Sequence, residues 1–233
     1  MRRILRWDGC VNVRDLGGLP IRGGGETSFR VLVRADSLRT LTEEGRRALV
    51  AYGITHAVDL RGDWELDEDP PPDLPMPVTR VPIDPRGNDV LWAWPSIRQA
   101  YEELLEGFRP QFAQAITALA RAEPPVAVHC LGGRDRTGIV CGLVSWLAGV
   151  EPDAIAADHG LSDESWEPHN GAWFDSAPDE AERERRRRIA APAGRALADV
   201  LEALEEQEGV RAYLQAGGAA AEDIDTIVLR LRG

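Results

Sequence analysis

An α/β architecture, with a largely parallel central sheet flanked by helices, follows from three features of this 233-residue sequence. Short apolar runs of strand length recur along the chain. Between them lie stretches in which apolar residues return at helical spacing. Glycine, proline or a capping residue stands at nearly every junction.

Taken in order, "FRVLV" at 29–33 reads as a strand entered through the glycine turn at 23–25. Thr42 is placed to cap a helix, with Glu43 and Glu44 in its first turn, Ala48, Leu49 and Tyr52 on its apolar face and Gly53 at its stop. "ITHAVDL" at 54–60 is the next strand, and it opens into "RGDWELDEDPPPDLPMP", too rich in proline and acid to predict regular structure. "VTRVPI" at 78–83 is a short strand that Pro82 confines to an edge or ends early. Ser96 caps a helix carrying Tyr101, Leu104, Leu105 and Phe108, which Pro110 is expected to kink before Phe112, Ile116 and Leu119 resume it. "PPVAVH" is the most apolar strand. The stretch 137–150 is apolar on all sides, the mark of a core helix at this length. Pro152 starts a helix expected to end near Gly160, and 161–191 carries no clear period. From Pro192 the spacing of Leu197, Val200, Leu201 and Leu204 predicts an amphipathic helix, followed by short helices after Gly209 and near Ala221.

Composition narrows the function. No apolar run approaches the length of a membrane span, and the basic N-terminus has no apolar stretch behind it, so a soluble, cytoplasmic protein without stable membrane insertion is expected. A net charge of -12 disfavours nucleic acid as a partner. Cys10, Cys130 and Cys141 form no C-x-x-C pair, which argues against a disulfide framework or a zinc site. All 27 basic residues are arginine, which removes lysine-dependent nucleotide loops and Schiff-base chemistry.

The informative stretch is "AVHCLGGRDRTGIV", 127–140: strand, tight glycine loop, helix start. A thiol attacks only as thiolate, and its free pKa near 8.5 falls to roughly 3.5–7.5 beside positive charge or at a helix N-terminus. Cys130 is placed to have both. Backbone N–H groups from Leu131 through Gly132, Gly133, Arg134 and Asp135 to Arg136 can converge on the oxygens of a phosphoryl group, and the helix that begins at 137 adds its dipole. Arg136 can hold two of those oxygens with its planar fork. Thr137 can donate its hydroxyl to the sulfur, and His129 can orient the loop. Cys141, inside the apolar helix, reads as packing, and Cys10 as a bystander.

"HCLGGRDRTG" resembles the signature of cysteine-dependent protein tyrosine phosphatases, and more narrowly is similar to the bacterial tyrosine and phosphoinositide phosphatases whose loop reads H-C-x-x-G-K-D-R-T-G. "NVRDLGG", "VLVRADSLRTLTEEGRRAL", "GITHAVDLR", "DHGLSDE" and "VLEALEEQEGVRAYLQAGG" are similar to that branch too. The resemblance implies a protein tyrosine phosphatase-like fold over 1–233 as one catalytic domain, with 161–191 and its Trp166, Trp173 and Phe174 as a candidate lid. It implies Asp135 as general acid, Cys130 and Arg136 as its catalytic companions, no metal and no cofactor. Asp59, Asp63 and Asp84, each after a strand, are the runners-up for the acid. Arg134 stands where that branch has lysine, and its guanidinium, flatter and bulkier than an ammonium, bears on substrate preference. The run "ERERRRR", 182–188, reads either as a solvated face of acid–arginine pairs or as a site for an anionic headgroup.

The expected reaction is phosphomonoester hydrolysis through a phosphocysteine, with phosphotyrosine, phosphoserine or phosphothreonine protein or a phosphoinositide as substrate, and phosphate or another oxyanion in the loop. Two other classes remain open on the sequence. One is a catalytically silent module that binds phosphorylated partners. The other is sulfur transfer through a persulfide, which Arg136 and Thr137 suit less well than a tetrahedral dianion.

Overall fold

The computed structural model describes residues 2–68, 73–85 and 96–233. Its strands are β1 (Arg14–Asp15), β2 (Leu32–Ala35), β3 (His56–Asp59), β4 (Val78–Arg80) and β5 (Val126–His129). Their spatial order is β1-β2-β5-β3-β4, with β1 antiparallel to β2 and every other pairing parallel. β5 lies between β2 and β3: Leu32 and His56 both face Val126, and Ala35 and Asp59 both face His129. The carboxyl ends of these three strands thus finish in one row, where open parallel sheets place their sites.

Both faces of the sheet are covered, so its central strands are apolar throughout. Leu32, Val58, Val126 and Val128 enter one core cluster, whereas Val33, Ala35, Ala57 and Ala127 enter the other. The second cluster is closed by Trp7, Leu38, Leu41 and by Leu49 of α1 (Glu43–Tyr52), whose first turn is capped by Thr42 accepting from the Gly45 N–H. The first is the larger. It is built around α5 (Asp135–Leu147), with α3 (Ile97–Gly107), α4 (Arg109–Arg121), α8 (Gly194–Gln207), α9 (Val210–Ala216) and α10 (Ala221–Arg232) contributing to the same core. Every residue of α5 from Thr137 to Trp146 is buried, as an all-apolar helix requires.

Several boundaries differ from the sequence reading. The strand expected at 29–33 starts at Leu32, because Arg30 adopts a left-handed turn conformation at φ 62. Pro110 does not kink a continuous helix; it sits in the first turn of α4, after a break at Phe108. The acidic loop after β3 contains a helix, α2 (Asp63–Glu68). Tertiary contacts override its composition: the Glu65 carboxylate accepts the Gly62 N–H at 2.7 Å and binds Arg136. Residues 69–72 of that predicted loop lie outside the described residues.

The largest correction is α6 (Pro152–Asp175), which runs through the stop expected at Gly160 and through Pro168. Gly160 does not end the helix, and a Cβ there would meet nothing within 4 Å; the close approach is at Gly194. A Cβ on Gly194 of α8 would lie 2.5 Å from the Ala156 carbonyl oxygen and 3.2 Å from the Gly160 nitrogen, so the two helices meet at a pair of glycines. α7 (Glu180–Ile189) completes the stretch left without assignment. No helix among the described residues is long and apolar enough to cross a membrane.

Candidate active site

β5 delivers Cys130 to the row of strand ends, and five residues later the chain has entered α5. Cys130 is 3% exposed, and its sulfur accepts the Gly133 N–H at 3.3 Å. Gly133 is in the left-handed region at φ 64, and a Cβ there would fall 2.4 Å from the Ala35 carbonyl oxygen. Only glycine lets the loop turn against the end of β2 in this way.

The loop's shape is fixed from behind, through its carbonyl oxygens. The Ser37 N–H binds the Leu131 carbonyl at 2.9 Å. Asn12 Nδ2 and Trp166 Nε1 donate to the Gly132 carbonyl at 3.0 and 2.8 Å. Arg34 Nη2 donates to the carbonyls of Gly133 and Arg134 at 2.8 and 3.2 Å. A trans peptide turns the next N–H opposite to its carbonyl. Drawing four oxygens outward therefore turns the N–H groups of Gly132, Gly133, Arg134 and Asp135 the other way, and the Gly133 N–H reaches the sulfur.

Arg34 is itself held in a buried ionic cluster. Asp158 of α6 pairs with Arg34 Nη1 at 3.1 Å, with Arg14 Nε at 3.0 Å and with Arg3. Arg14 also donates to Asn12 Oδ1 at 2.6 Å and to Ser162 at 3.0 Å. Burial alone would raise the Asp158 carboxyl, but Arg14, Arg34 and Arg3 outweigh it and hold the group well below the usual carboxylate range. Burial and the adjacent Arg34 bring the Arg14 guanidinium down to about 10.

On the opposite side, Arg136 Nη2 donates to Glu65 Oε1 at 2.7 Å while Nη1 reaches Glu65 Oε2, the Ile83 carbonyl at 3.2 Å and the Leu60 carbonyl at 3.5 Å. Burial opposes its charge, and Glu65, the Cys130 sulfur and Asp135 more than offset that, so the guanidinium titrates above its ordinary range. Asp135, in the first turn of α5, keeps a 36% exposed side chain whose Oδ1 accepts the Tyr101 hydroxyl at 2.7 Å. Leu131, Gly132 and Asp135 line a cleft of ≈ 380 Å³ whose far wall is Trp166, Trp173 and Ile189.

This loop, with its thiol and guanidinium, is matched over residues 5–233 by the model of a family described as the tyrosine phosphatase family. The chain belongs to that family. Among curated relatives, it is 34% identical over 141 residues to a tyrosine-protein phosphatase of Nostoc commune, covering 56% of this chain and 47% of that protein. It is 27% identical over 170 residues to the triple specificity protein phosphatase PtpB of Mycobacterium tuberculosis, covering 58% and 61%. The chain thus spans between about half and three fifths of the length of these phosphatases.

Within the phosphatase family loop, two side chains, Arg134 and Thr137, lie differently from the sequence reading. The Arg134 guanidinium runs outward, donating to Asp163 Oδ1 at 2.7 Å and to the carbonyls of Ile189 and Ala191, so only its main chain belongs to the loop. Thr137, expected to donate to the sulfur, is fully buried and its hydroxyl has no hydrogen-bond partner among the described residues. His129 is buried with Nδ1 3.4 Å from the Cys130 carbonyl and Nε2 3.9 Å from Asp59; burial, above all, lowers its pKa.

The runner-up acids stand elsewhere. Asp59 is sealed in the interior, gripping Arg61 at 2.8 Å. Asp63 lies on the surface with Arg80 at 2.6 Å, and Asp84 accepts the Trp64 indole N–H at 2.9 Å. The residues 161–191 do pack against the loop, through Trp166 and through the two carbonyls that receive Arg134. Arg183, Arg185, Arg186 and Arg187 of α7 pair with Glu180, Glu182 and Glu184 of the same helix, the solvated-face arrangement. Glu65, Asn12, Arg34, Asp158, Tyr101 and His159 went unassigned from sequence. Asn12, Arg34, Asp158 and His159 do fall inside the strings "NVRDLGG", "VLVRADSL" and "DHGLSDE" that carried the resemblance.

Proposed function

We propose that this chain hydrolyses phosphomonoesters, with phosphotyrosine in proteins as the preferred substrate, through a phosphocysteine. The observation that carries the reading is the Cys130 sulfur receiving a loop N–H while four loop carbonyls are tied outward, an arrangement that stabilises a thiolate in the resting protein and three phosphoryl oxygens once substrate enters. The Cys130 thiolate attacks phosphorus, and the P–O ester bond breaks as Asp135 gives its proton to the departing oxygen. Asp135, now a carboxylate, takes a proton from water as that water attacks phosphorus. The S–P bond breaks, inorganic phosphate leaves and the thiolate returns. Arg136, locked to Glu65 on one edge, supplies fixed positive charge to the equatorial oxygens.

Support for an aryl substrate comes from the cleft beside the loop, walled by Trp166, Trp173 and Leu131, and from the internal pairing of the arginines on α7. A flat apolar ring suits such walls better than a polyanionic headgroup does. The test is turnover of phosphotyrosine, phosphoserine and phosphothreonine peptides and of a phosphoinositide, with wild type and Cys130→Ser. Phosphotyrosine turnover should lead, Cys130→Ser should abolish it, and acid quench of labelled substrate should leave phosphate on the wild-type protein. Turnover that survives Cys130→Ser sinks the mechanism, and vanadate binding without any turnover would mark a silent binding module.

A further inference from the structure

We propose that Tyr101 and His159 are the positioning pair of Asp135, a buried phenol steered by a buried imidazole that fixes one carboxylate oxygen and leaves the other to serve the reaction. The inference rests on the reading of Asp135 as acid and base.

Tyr101 is on α3 and is 0% exposed; His159 is on α6 and is 1% exposed. Their rings meet edge to face at 5.6 Å and 85°. The phenol oxygen lies 2.7 Å from Asp135 Oδ1 and 2.8 Å from His159 Nε2. A phenol has a single hydrogen, and an ionised carboxylate can only accept. The hydroxyl therefore donates to Asp135, and His159 must carry its proton on Nε2 and donate to the phenol oxygen. His159 Nδ1 is then an acceptor, buried and without a partner among the described residues. Burial, followed by Arg34, Arg134 and Arg14, lowers the pKa of this imidazole well below its ordinary value, consistent with a neutral ring of that tautomer.

The α5 sequence makes room for this arrangement. A Cβ on Gly138 would lie 2.3 Å from His159 Cε1, so the glycine that follows Thr137 is what admits the imidazole against α5. Packing alone does not call for the hydroxyl. A phenylalanine would fill the same core site, whereas the buried phenol reaches with its tip a carboxylate that lines the cleft.

The chemistry explains why a fixed oxygen matters. Without the phenol, a partly exposed aspartate has several rotamers and is drawn to Arg134, whose Nη1 lies 3.7 Å from Oδ1. With Oδ1 held, Oδ2 is the oxygen that carries the proton. Tyr101 can donate to Oδ1 whether Oδ2 is protonated or not, more strongly to the carboxylate, so a single geometry serves both protonation of the leaving oxygen and deprotonation of water.

Leaving-group selectivity tests the pair. A phenolate as basic as that of phenyl phosphate needs the acid; 2,4-dinitrophenolate departs without it. Asp135→Asn should lower kcat/KM, which reports transfer to Cys130 and not the later hydrolysis, for phenyl phosphate by about 10²–10⁴-fold and barely change that for 2,4-dinitrophenyl phosphate. Tyr101→Phe should lower kcat/KM for phenyl phosphate by about 10–10²-fold, again sparing the dinitrophenyl ester. Added to Asp135→Asn, Tyr101→Phe should cost nothing further. His159→Leu should repeat the pattern, and His159→Gln, whose amide can still donate, should restore it; this second comparison decides the matter if Tyr101→Phe fails to fold. Equal loss on both esters from Tyr101→Phe and His159→Leu, beside a selective Asp135→Asn, overturns the pair alone. An unselective Asp135→Asn overturns the acid assignment, and the pair with it.

Discussion

Arg136 is mostly covered, its side chain 13% exposed, and keeps its charge because Glu65 meets it with both carboxylate oxygens. On the proposed mechanism the guanidinium must face phosphate with its remaining donors, so Glu65 acts as a jig. Glu65→Gln keeps the shape and loses the charge, leaving the arginine with one side-chain acceptor, the Ile83 and Leu60 carbonyls and no counter-charge. It should lower kcat/KM by about 10²-fold, read on any aryl phosphate, because displacement of a catalytic group by about 1 Å costs that much. Cys130, Asp135 and Arg136 could be found in the sequence since their chemistry is contiguous: one strand end, one loop, one helix turn. Glu65 comes from 71 residues away and Tyr101 from 34, and no local pattern marks a glutamate or a tyrosine for such a meeting. Thr137 failed for the opposite reason. Its position suited a bond to sulfur, but the hydroxyl is buried in α5 and makes no hydrogen bond among the described residues.

At the level of elements, α6 decides the site's rear wall. It carries Asp158, His159, Ser162, Asp163 and Trp166, each of which touches the loop directly or through one partner. Its length was hidden because Gly160 and Pro168 both look like stops, and the partners α6 packs against, Gly194 of α8 among them, lie far off in sequence. The parallel strands and the apolar α5 were legible because burial on all sides leaves a compositional mark that partners elsewhere cannot erase. α2 was hidden because its order depends on the distant Arg136. The ionic docking of α6 gives a direct expectation. Asp158→Asn leaves Arg14 and Arg34 buried without their counter-charge, which should cost about 3–5 kcal/mol in urea unfolding. The loop should loosen at the same time, with loss of turnover even where the protein stays folded.

For the whole molecule, acid is the expected weakness. His129, facing Asp59, Arg61 and Arg136, and His159, facing Arg34, Arg134, Arg14 and Asp158, both have folded pKa values below 6.5. The unfolded chain takes up these protons near pH 6.5 and the folded one does not, so stability is full above that value and falls as pH drops below it. Each histidine contributes a slope of about 1.4 kcal/mol per pH unit there. Asp158 adds its own loss only further down, below about pH 4, since its folded value is depressed from 3.8. Urea midpoints at pH 7.0 and 5.5 should therefore drop with pH, and a midpoint independent of pH over that range would contradict the buried, neutral histidines. The outward tethering of the loop's four carbonyls has a last consequence. A receptor propped from the rear is already shaped before any ester arrives, so the orthophosphate set free by each turnover meets the same welcome as the next substrate and must compete with it.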